Sequence, residues 1–159
     1  MKLKEYRLVL LSGALIFVAS LAWGHGDKKH QDSPRMSGHM AEMYQLKKQI
    51  PEEFQIMNRS PVRPDNESLA NGKRLFGQHC AVCHGAEGKG DGPAAKALNP
   101  SPANFHDLKH SAIYGPGEKF WIIGNGTGKT GMPGLEKELT PKDRWDLVNH
   151  IYHLQGTAE

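Results

Sequence analysis

The stretch Cys80-Ala81-Val82-Cys83-His84 decides the fold of this 159-residue chain. Two thiols stand three positions apart and an imidazole follows at once, which is the attachment pattern of a c-type haem. This spacing lets one turn of backbone bring both thiols to one edge of a porphyrin, where each forms a thioether with a vinyl group. The imidazole of His84 then reaches the iron as its proximal ligand, the usual role of histidine in haem proteins. The stretch therefore predicts one haem c, attached at Cys80 and Cys83.

Other uses of two cysteines fit this stretch less well. A thioredoxin-like redox pair needs a βαβ setting, and no strand pattern surrounds these residues. Structural zinc takes four ligands, typically from two cysteine pairs, whereas the whole chain has two cysteines. A disulfide between Cys80 and Cys83 would leave His84 unexplained.

The composition bounds the class of protein. The first 22 residues hold three of the 20 basic residues and one of the 17 acidic ones, so the rest of the chain has a net charge of only +1. No basic stripe with interleaved aromatic residues is present, and we expect no nucleic-acid partner. A mean hydropathy of −0.58 excludes a multi-span membrane protein, and 18 glycines and ten prolines indicate a loop-rich fold.

The N-terminus has the pattern of an export signal. Residues 1–7 are basic, and residues 8–22 are uncharged and mostly apolar. This 15-residue run suits a signal-peptide core and is shorter than the ~20 residues of a spanning helix. Small residues at Ser20 and Ala22 predict cleavage after Ala22, and an uncleaved anchor is the alternative. We therefore expect a periplasmic protein, soluble or anchored to the outer face of the cytoplasmic membrane.

Residues 23–65 are expected to form a polar linker with a short amphipathic helix. Apolar residues recur at helical spacing over Met40–Ile50, which predicts that this helix packs on the haem domain, and Pro51 ends it. Three prolines then indicate an irregular tether up to residue 65. The segment also holds thioethers and imidazoles that suit copper, which leaves metal binding open as an alternative: His25, His30, Met36, His39, Met40 and Met43.

Two longer helices bracket the predicted haem domain, residues 66–159. Asp65 can cap a helix that begins at Asn66 and delivers its last turn to the first cysteine. Thr140, followed by proline and with an acid three residues on, predicts a second helix up to about Gln155. Gly72 interrupts the apolar face of the first helix at a cost of about 1 kcal/mol relative to alanine, so we expect the second helix to cross there.

The segment between these helices should surround the haem. Gly85–Pro102 is predicted to be a loop over the proximal side, with a turn of helix near Pro93–Leu98 and a backbone carbonyl near Pro100 or Pro102 that accepts the ring N–H of the proximal histidine. Glu118–Ile123 is a predicted short helix. Within it, Trp121 either packs in the core or donates its indole N–H to a haem propionate, because a buried indole N–H usually finds a partner. Asn125 is a second candidate haem contact.

Met132 is the candidate sixth ligand of the iron. It stands in a glycine-rich stretch at residues 124–134, which lacks the upstream glycine and strand of a phosphate-binding loop. The thioether is a soft ligand that favours ferrous iron, and a His/Met pair raises the reduction potential relative to two imidazoles. The rival ligands are Met57, His106 and His110.

A set of residues between positions 66 and 155 matches one known family. The matching positions are Gly72, Phe76, Cys80-Ala81-Val82-Cys83-His84-Gly85, Gly92-Pro93-Ala94-Ala95, Asn125-Gly126, Gly131-Met132-Pro133 and Trp145-Asp146-Leu147-Val148. This set resembles class I cytochrome c, and it is similar to the small single-haem domains found in haem subunits of bacterial terminal oxidases.

The resemblance implies an all-α fold of three main helices around one covalently bound, six-coordinate haem, with one haem edge exposed for electron transfer. It carries over Cys80 and Cys83 as attachment sites, His84 as the proximal ligand and Met132 as the distal ligand. There is one departure, because His150 stands where the family often has a tyrosine against the glycine of the first helix.

The expected function is one-electron transfer in the periplasm, without catalytic residues. Both axial positions are filled by protein, so neither redox state offers a substrate an open site. The alternatives are a cytochrome subunit of a larger oxidoreductase, a peroxidase-like enzyme if the sixth ligand is labile, and a sensor that uses the His/Met-rich segment. We expect redox proteins as partners, steered by lysines around the haem edge at positions 89, 96, 109, 119 and 129.

Overall fold

The computed structural model describes residues 38–156, which are helical and contain no strand. The predicted leader at 1–22 and the metal-ligand candidates His25, His30 and Met36 lie outside the described residues. The all-α fold class is confirmed. No helix within 38–156 is long and apolar enough to cross a bilayer. The helices are α1 (Gly38–Lys47), α2 (Glu52–Gln55), α3 (Asn66–His79), α4 (Ala81–His84), α5 (Leu108–Ser111), α6 (Pro116–Asn125) and α7 (Pro141–Leu154), with a 3-10 turn at Ala95–Ala97.

The two longest helices begin at the residues that the sequence indicates. The side chain of Asp65 accepts the N–H of Ser68 at 3.0 Å, which caps α3. At α7, the Thr140 hydroxyl accepts the N–H of Asp143 at 3.2 Å, and the Asp143 carboxylate accepts the N–H of Thr140 at the same distance. Each side-chain cap is worth about 0.5–2 kcal/mol, so local sequence defines both helix starts.

The helices α3 and α7 cross at Gly72, as predicted. A Cβ atom at this position would lie 2.1 Å from the carbonyl oxygen of Asp146 and 2.8 Å from the Cβ of His150. Only glycine allows the two backbones to approach this closely. His150 lies at the crossing, and its ring meets Phe76 edge-on with centroids 5.3 Å apart. Burial lowers the pKa of His150 to about 4, so the ring packs as a neutral group.

A buried carboxylate joins the same two helices. Asp146 is fully buried and accepts hydrogen bonds from Ser68 Oγ at 2.7 Å, Asn71 Nδ2 at 2.8 Å and Lys142 Nζ at 3.0 Å. Asn149 extends the network by donating to Ser68 Oγ at 2.9 Å. A buried charge is tolerated only when its lone pairs are satisfied in this way, so this network holds α3 and α7 in one register.

The helix α6 is longer than the predicted Glu118–Ile123. Pro116 occupies its first turn, and the Glu118 carboxylate accepts the N–H of Gly115 at 2.6 Å, so the helix begins earlier than its apolar run. Phe120 stacks on Trp145 of α7 with centroids 4.4 Å apart. The guanidinium of Arg144 covers the Phe120 ring at 4.3 Å.

The stretch before the predicted haem domain also packs onto α6. The helix α1 ends at Lys47, three residues before the predicted end at Ile50. The prediction of an irregular tether over 51–65 is wrong in part, because these residues contain α2. Phe54 of α2 stacks on Phe120 with centroids 6.0 Å apart. Gly117 permits this approach, since a Cβ there would lie 2.2 Å from the Phe54 carbonyl oxygen.

Candidate haem site

One cavity of about 660 Å³ brings together the four residues predicted to attach and ligate a haem. Cys80, Cys83, His84 and Met132 all line it. Cofactor sites span roughly 300–1,000 Å³ and are mostly apolar, and the apolar side chains of this lining fit that description: Leu46, Leu98, Ile122, Ile123, Leu135 and Ile151. The donor set and the cavity therefore fit a haem attached at its vinyl edge.

The proximal imidazole is oriented by a backbone carbonyl. His84 Nδ1 lies 3.0 Å from the carbonyl oxygen of Ala103 and donates to it. This carbonyl lies one residue beyond Pro102, close to the predicted position. Burial lowers the pKa of His84, and the bond to Ala103 opposes that shift only in part. The ring is thus neutral, with its lone pair on Nε2, which is the form that binds a metal.

Phe105 and Gly92, in the loop at residues 85–105, contact the Cys80–His84 motif. The Phe105 ring stacks on the His84 ring with centroids 4.9 Å apart. The N–H of Gly92 donates to the carbonyl of Cys83 at 3.1 Å. A Cβ at Gly92 would lie 2.5 Å from the Val82 carbonyl oxygen, so the loop can lie on α4 only with glycine here.

The two cysteines are free thiols, as thioether formation requires. Burial, with a smaller contribution from the neighbouring Cys83, raises the pKa of Cys80 to about 12. The Cys80 thiol is therefore protonated at neutral pH. A Cys80–Cys83 disulfide, one of the alternatives, is not formed.

Met132 reaches the cavity from the loop after α6. The N–H of Thr127 donates to the Met132 carbonyl at 3.2 Å. Gly126 has φ of 74°, and a Cβ there would lie 2.4 Å from the Met132 carbonyl oxygen. After this turn, the N–H of Leu135 donates to the carbonyl of Ile123 at 2.9 Å and returns the chain to the core.

The rival ligands are placed differently. Met57 packs against the hydrophobic core and is not part of the cavity lining. His106 also lies outside the lining and donates from Nε2 to the Glu87 carbonyl at 2.7 Å. His110 does line the cavity, and its Nδ1 meets the Asp107 carboxylate at 2.5 Å. Among the predicted sixth ligands, the fold thus brings Met132 and His110 to the cavity.

The two predicted haem contacts on α6 lie away from the cavity lining. Asn125 is exposed and donates from Nδ2 to the carbonyl of Trp121 at 2.9 Å, and neither residue lines the cavity. Lys119 does line it and is only 7% exposed, so the prediction that Lys119 belongs to an exposed lysine ring is wrong. The spacing of Lys119 could have indicated its place in the cavity lining, because it lies one helical turn before Ile122 and Ile123 and therefore on the same face of α6.

The sequence predicts that the short helix over Met40–Ile50 packs on the haem domain, and the observed helix α1 forms part of the cavity wall. His39, Met43 and Leu46 all contribute to the lining. The Tyr114 hydroxyl donates to the Met43 carbonyl at 2.9 Å. Lys47 Nζ donates to the Ile113 carbonyl at 2.6 Å and meets the Glu118 carboxylate at 2.8 Å.

Of the predicted copper-ligand candidates, His39, Met40 and Met43 lie within the described residues. Across residues 38–156, no group of three or more His, Cys, Asp or Glu side chains is arranged to hold a metal ion. His39 lies near His110, with ring centroids 6.0 Å apart.

Comparison with known proteins identifies related chains. The family model described as cytochrome c matches residues 69–155. The chain is 30% identical over 155 residues to the cbb3-type cytochrome c oxidase subunit CcoP of Rubrivivax gelatinosus, a match that covers 94% of this chain and 47% of that protein. The chain thus spans about half the length of the curated relative. A solved structure of the Kuenenia stuttgartiensis reducing HAO-like protein complex Kustc0457/Kustc0458 is similar, with 30% identity and a TM-score of 0.54, covering 59% of this chain and 46% of that chain.

Proposed function

Because the chain belongs to the cytochrome c family, we propose that it is a one-electron carrier with a single haem c, ligated by His84 and Met132. The observation that carries this proposal is that one cavity is lined by both thiols, by a neutral imidazole with its Nε2 lone pair free, and by the thioether-bearing residue. The haem supplies the Fe(III)/Fe(II) couple when it is bound.

The residues of the chain have separate tasks in this function. Cys80 and Cys83 hold the cofactor by two covalent bonds, so it is retained in both redox states. The Ala103 carbonyl keeps His84 in one tautomer and raises its basicity. The thioether of Met132 favours the reduced state, which raises the reduction potential. If His84 and Met132 both ligate the iron, a bound haem would offer a substrate no open position, which favours electron transfer over peroxidase-like chemistry.

The relatives support a place among redox proteins. One is named as a subunit of an oxidase, and the other comes from a protein complex. In each relative, the match to this chain covers about half of the relative's length. We infer that this chain exchanges electrons with redox protein partners, either as a free carrier or as a haem-bearing subunit. The basic and then apolar N-terminus supports a periplasmic location, soluble or membrane-anchored.

Absorption spectroscopy of the holo-protein tests this function. The haem should stay with the denatured wild-type chain, because thioethers resist unfolding. Met132→Ala should lose the six-coordinate low-spin spectrum and the sulfur-to-iron charge-transfer band of the ferric form. Met57→Ala is the matched control and should keep both features. An unchanged spectrum in Met132→Ala would overturn the distal assignment, and His110→Ala would then test the remaining rival in the cavity.

A further inference from the structure

Lys119 lines the cavity and carries a buried ammonium group that has no carboxylate ion-pair partner within residues 38–156. Lys119 Nζ donates to the carbonyl of Ser111 at 2.9 Å and to the carbonyl of Tyr114, and it lies 4.7 Å from the centroid of the Tyr152 ring. It forms no ion pair with any carboxylate of residues 38–156. The adjacent carboxylate of Glu118 is engaged by Lys47 instead. Lysines are almost never this buried without a counter-charge.

A buried hydroxyl at the same wall also lacks a partner. Ser111 is 6% exposed and lines the cavity, and its Oγ makes no hydrogen bond to the described residues. A buried hydroxyl without a hydrogen-bond partner is unfavourable, because it has lost its bonds to water. The carbonyl of the same Ser111 accepts from Lys119, so the ammonium and the hydroxyl belong to one wall, formed by α5 and α6.

These two groups have the chemistry to bind a carboxylate. An ammonium and a hydroxyl both donate, and charge-assisted bonds to a carboxylate are among the strong hydrogen bonds in proteins. A haem carries two propionate carboxylates, on the side of the macrocycle opposite the vinyl groups that the cysteines bond. The other lysine in the cavity lining, Lys129, is exposed and already solvated. Lys119 is therefore the buried positive charge in the cavity lining that can pair with a propionate.

We propose that Lys119 Nζ and Ser111 Oγ bind one propionate carboxylate of the haem and that Lys119 thereby sets part of the reduction potential. This inference rests on the proposed function, because it requires the haem in the cavity. Binding a propionate is the role that the sequence analysis considered for Trp121, and the proposal assigns it to Lys119 and Ser111 instead.

The pair should make the reduction potential depend on pH. A positive charge beside the haem stabilises the reduced form, so loss of the proton from Lys119 lowers the potential. Burial is the main reason why the pKa of Lys119 is lowered to about 8; the charge of Glu118 partly opposes this shift, and the charge of Lys47 adds to it. A bound propionate would raise the pKa above this value. Tyr114 and Tyr152 also face the ammonium, but burial raises both of their pKa values to about 12. The potential should therefore fall as the pH rises from about 8 towards 10.

Spectroelectrochemical titration of the holo-protein from pH 6 to pH 10 tests the inference. In Lys119→Met, the ratio of reduced to oxidised haem at a fixed ambient potential should fall about tenfold at pH 7, or about 59 mV for one electron, and the alkaline fall should disappear. Lys119→Arg should restore the neutral-pH potential without the alkaline fall, because a guanidinium keeps its proton. Ser111→Ala should change the ratio two- to threefold. Lys109→Met, an exposed neighbour on α5, should change it less than twofold.

The outcomes separate this inference from the proposed function. A wild type without covalent haem overturns the proposed function. A Lys119→Met protein that keeps its low-spin spectrum, potential and pH profile overturns the inference alone. If Lys119→Met does not load haem, Lys119→Arg and Ser111→Ala decide. A wild-type alkaline fall in Lys119→Arg, together with an unchanged potential in Ser111→Ala, overturns the inference.

Discussion

The cavity has two halves that are built in different ways. The proximal half consists of α3, α4 and the loop at residues 85–105, and the backbone of its motif is bonded at almost every residue. His84 donates its N–H to Cys80 at 2.9 Å and accepts the N–H of Gly90 at 2.8 Å. The distal half is the loop at residues 126–134. There, Gly128 and Gly131 have φ values of 62° and 76°, and a Cβ at either would have no neighbour within 4 Å.

This difference assigns different tasks to the two halves. In the proposed function, the proximal half holds its shape while two covalent bonds form, and its tight packing suits permanent attachment. The middle of the distal loop has room around it at Gly128 and Gly131. In the proposed function, it can therefore vary how firmly Met132 closes the sixth position. Substitutions in the proximal half and its α3–α7 frame should therefore cost folding free energy, whereas substitutions in the distal loop should change ligand exchange.

The largest expected effect lies in the frame behind the proximal half. Asp146→Ala removes the buried acceptor of Ser68, Asn71 and Lys142. Breaking such a buried network typically costs about 3–5 kcal/mol, which denaturant titration of the holo-protein should show. Asp143→Ala, also on α7, is the control: it removes the carboxylate of the helix cap and one hydrogen bond from Asn71, and it should cost about 1–2 kcal/mol. Equal costs for the two variants would show that the frame does not depend on the buried carboxylate.

A matched pair of glycines compares the two halves directly. Gly92→Ala should cost about 1–3 kcal/mol, the usual range for overpacking, because its Cβ meets the carbonyl oxygens of Val82 and Ala81 at 2.5 and 2.6 Å. Gly131→Ala should cost about 1 kcal/mol, from the positive φ alone. Thermal unfolding and the yield of covalent haem measure both. A Gly131→Ala protein that is the less stable of the two would reverse the assignment of rigid and open halves.

The proximal half was largely predictable because its signals are local. The caps at Asp65 and Thr140, the glycine at the crossing and the spacing of the motif each act within a few residues. Even the carbonyl that orients His84 was expected within one residue of its position. These features depend on backbone geometry that a short stretch of sequence specifies.

The remainder of the cavity depends on contacts between distant residues. Lys47 meets Glu118, 71 positions away, and this contact holds α1 against the cavity. No local pattern in residues 38–50 indicates that partner. The choice between Lys119 and Trp121 likewise depends on the rotation of α6, which its packing against α2 and α7 sets. Such contacts become visible only when the chain is folded.

The smallest expected effect tests the openness of the distal loop. The hydroxyls of Thr127 and Thr130 are hydrogen-bonded to each other across the loop that carries Met132. Thr130→Val removes this bond, which in a half-exposed loop is worth about 0.5 kcal/mol, the low end of the usual range. Added imidazole should then replace Met132 in the ferric protein about twofold faster by stopped-flow absorbance, with unfolding unchanged. Thr130→Ser keeps the hydroxyl and should match the wild type. A tenfold acceleration would mean that this one bond holds the loop closed, whereas a loss of stability without faster exchange would mean that the distal half is packed like the proximal one.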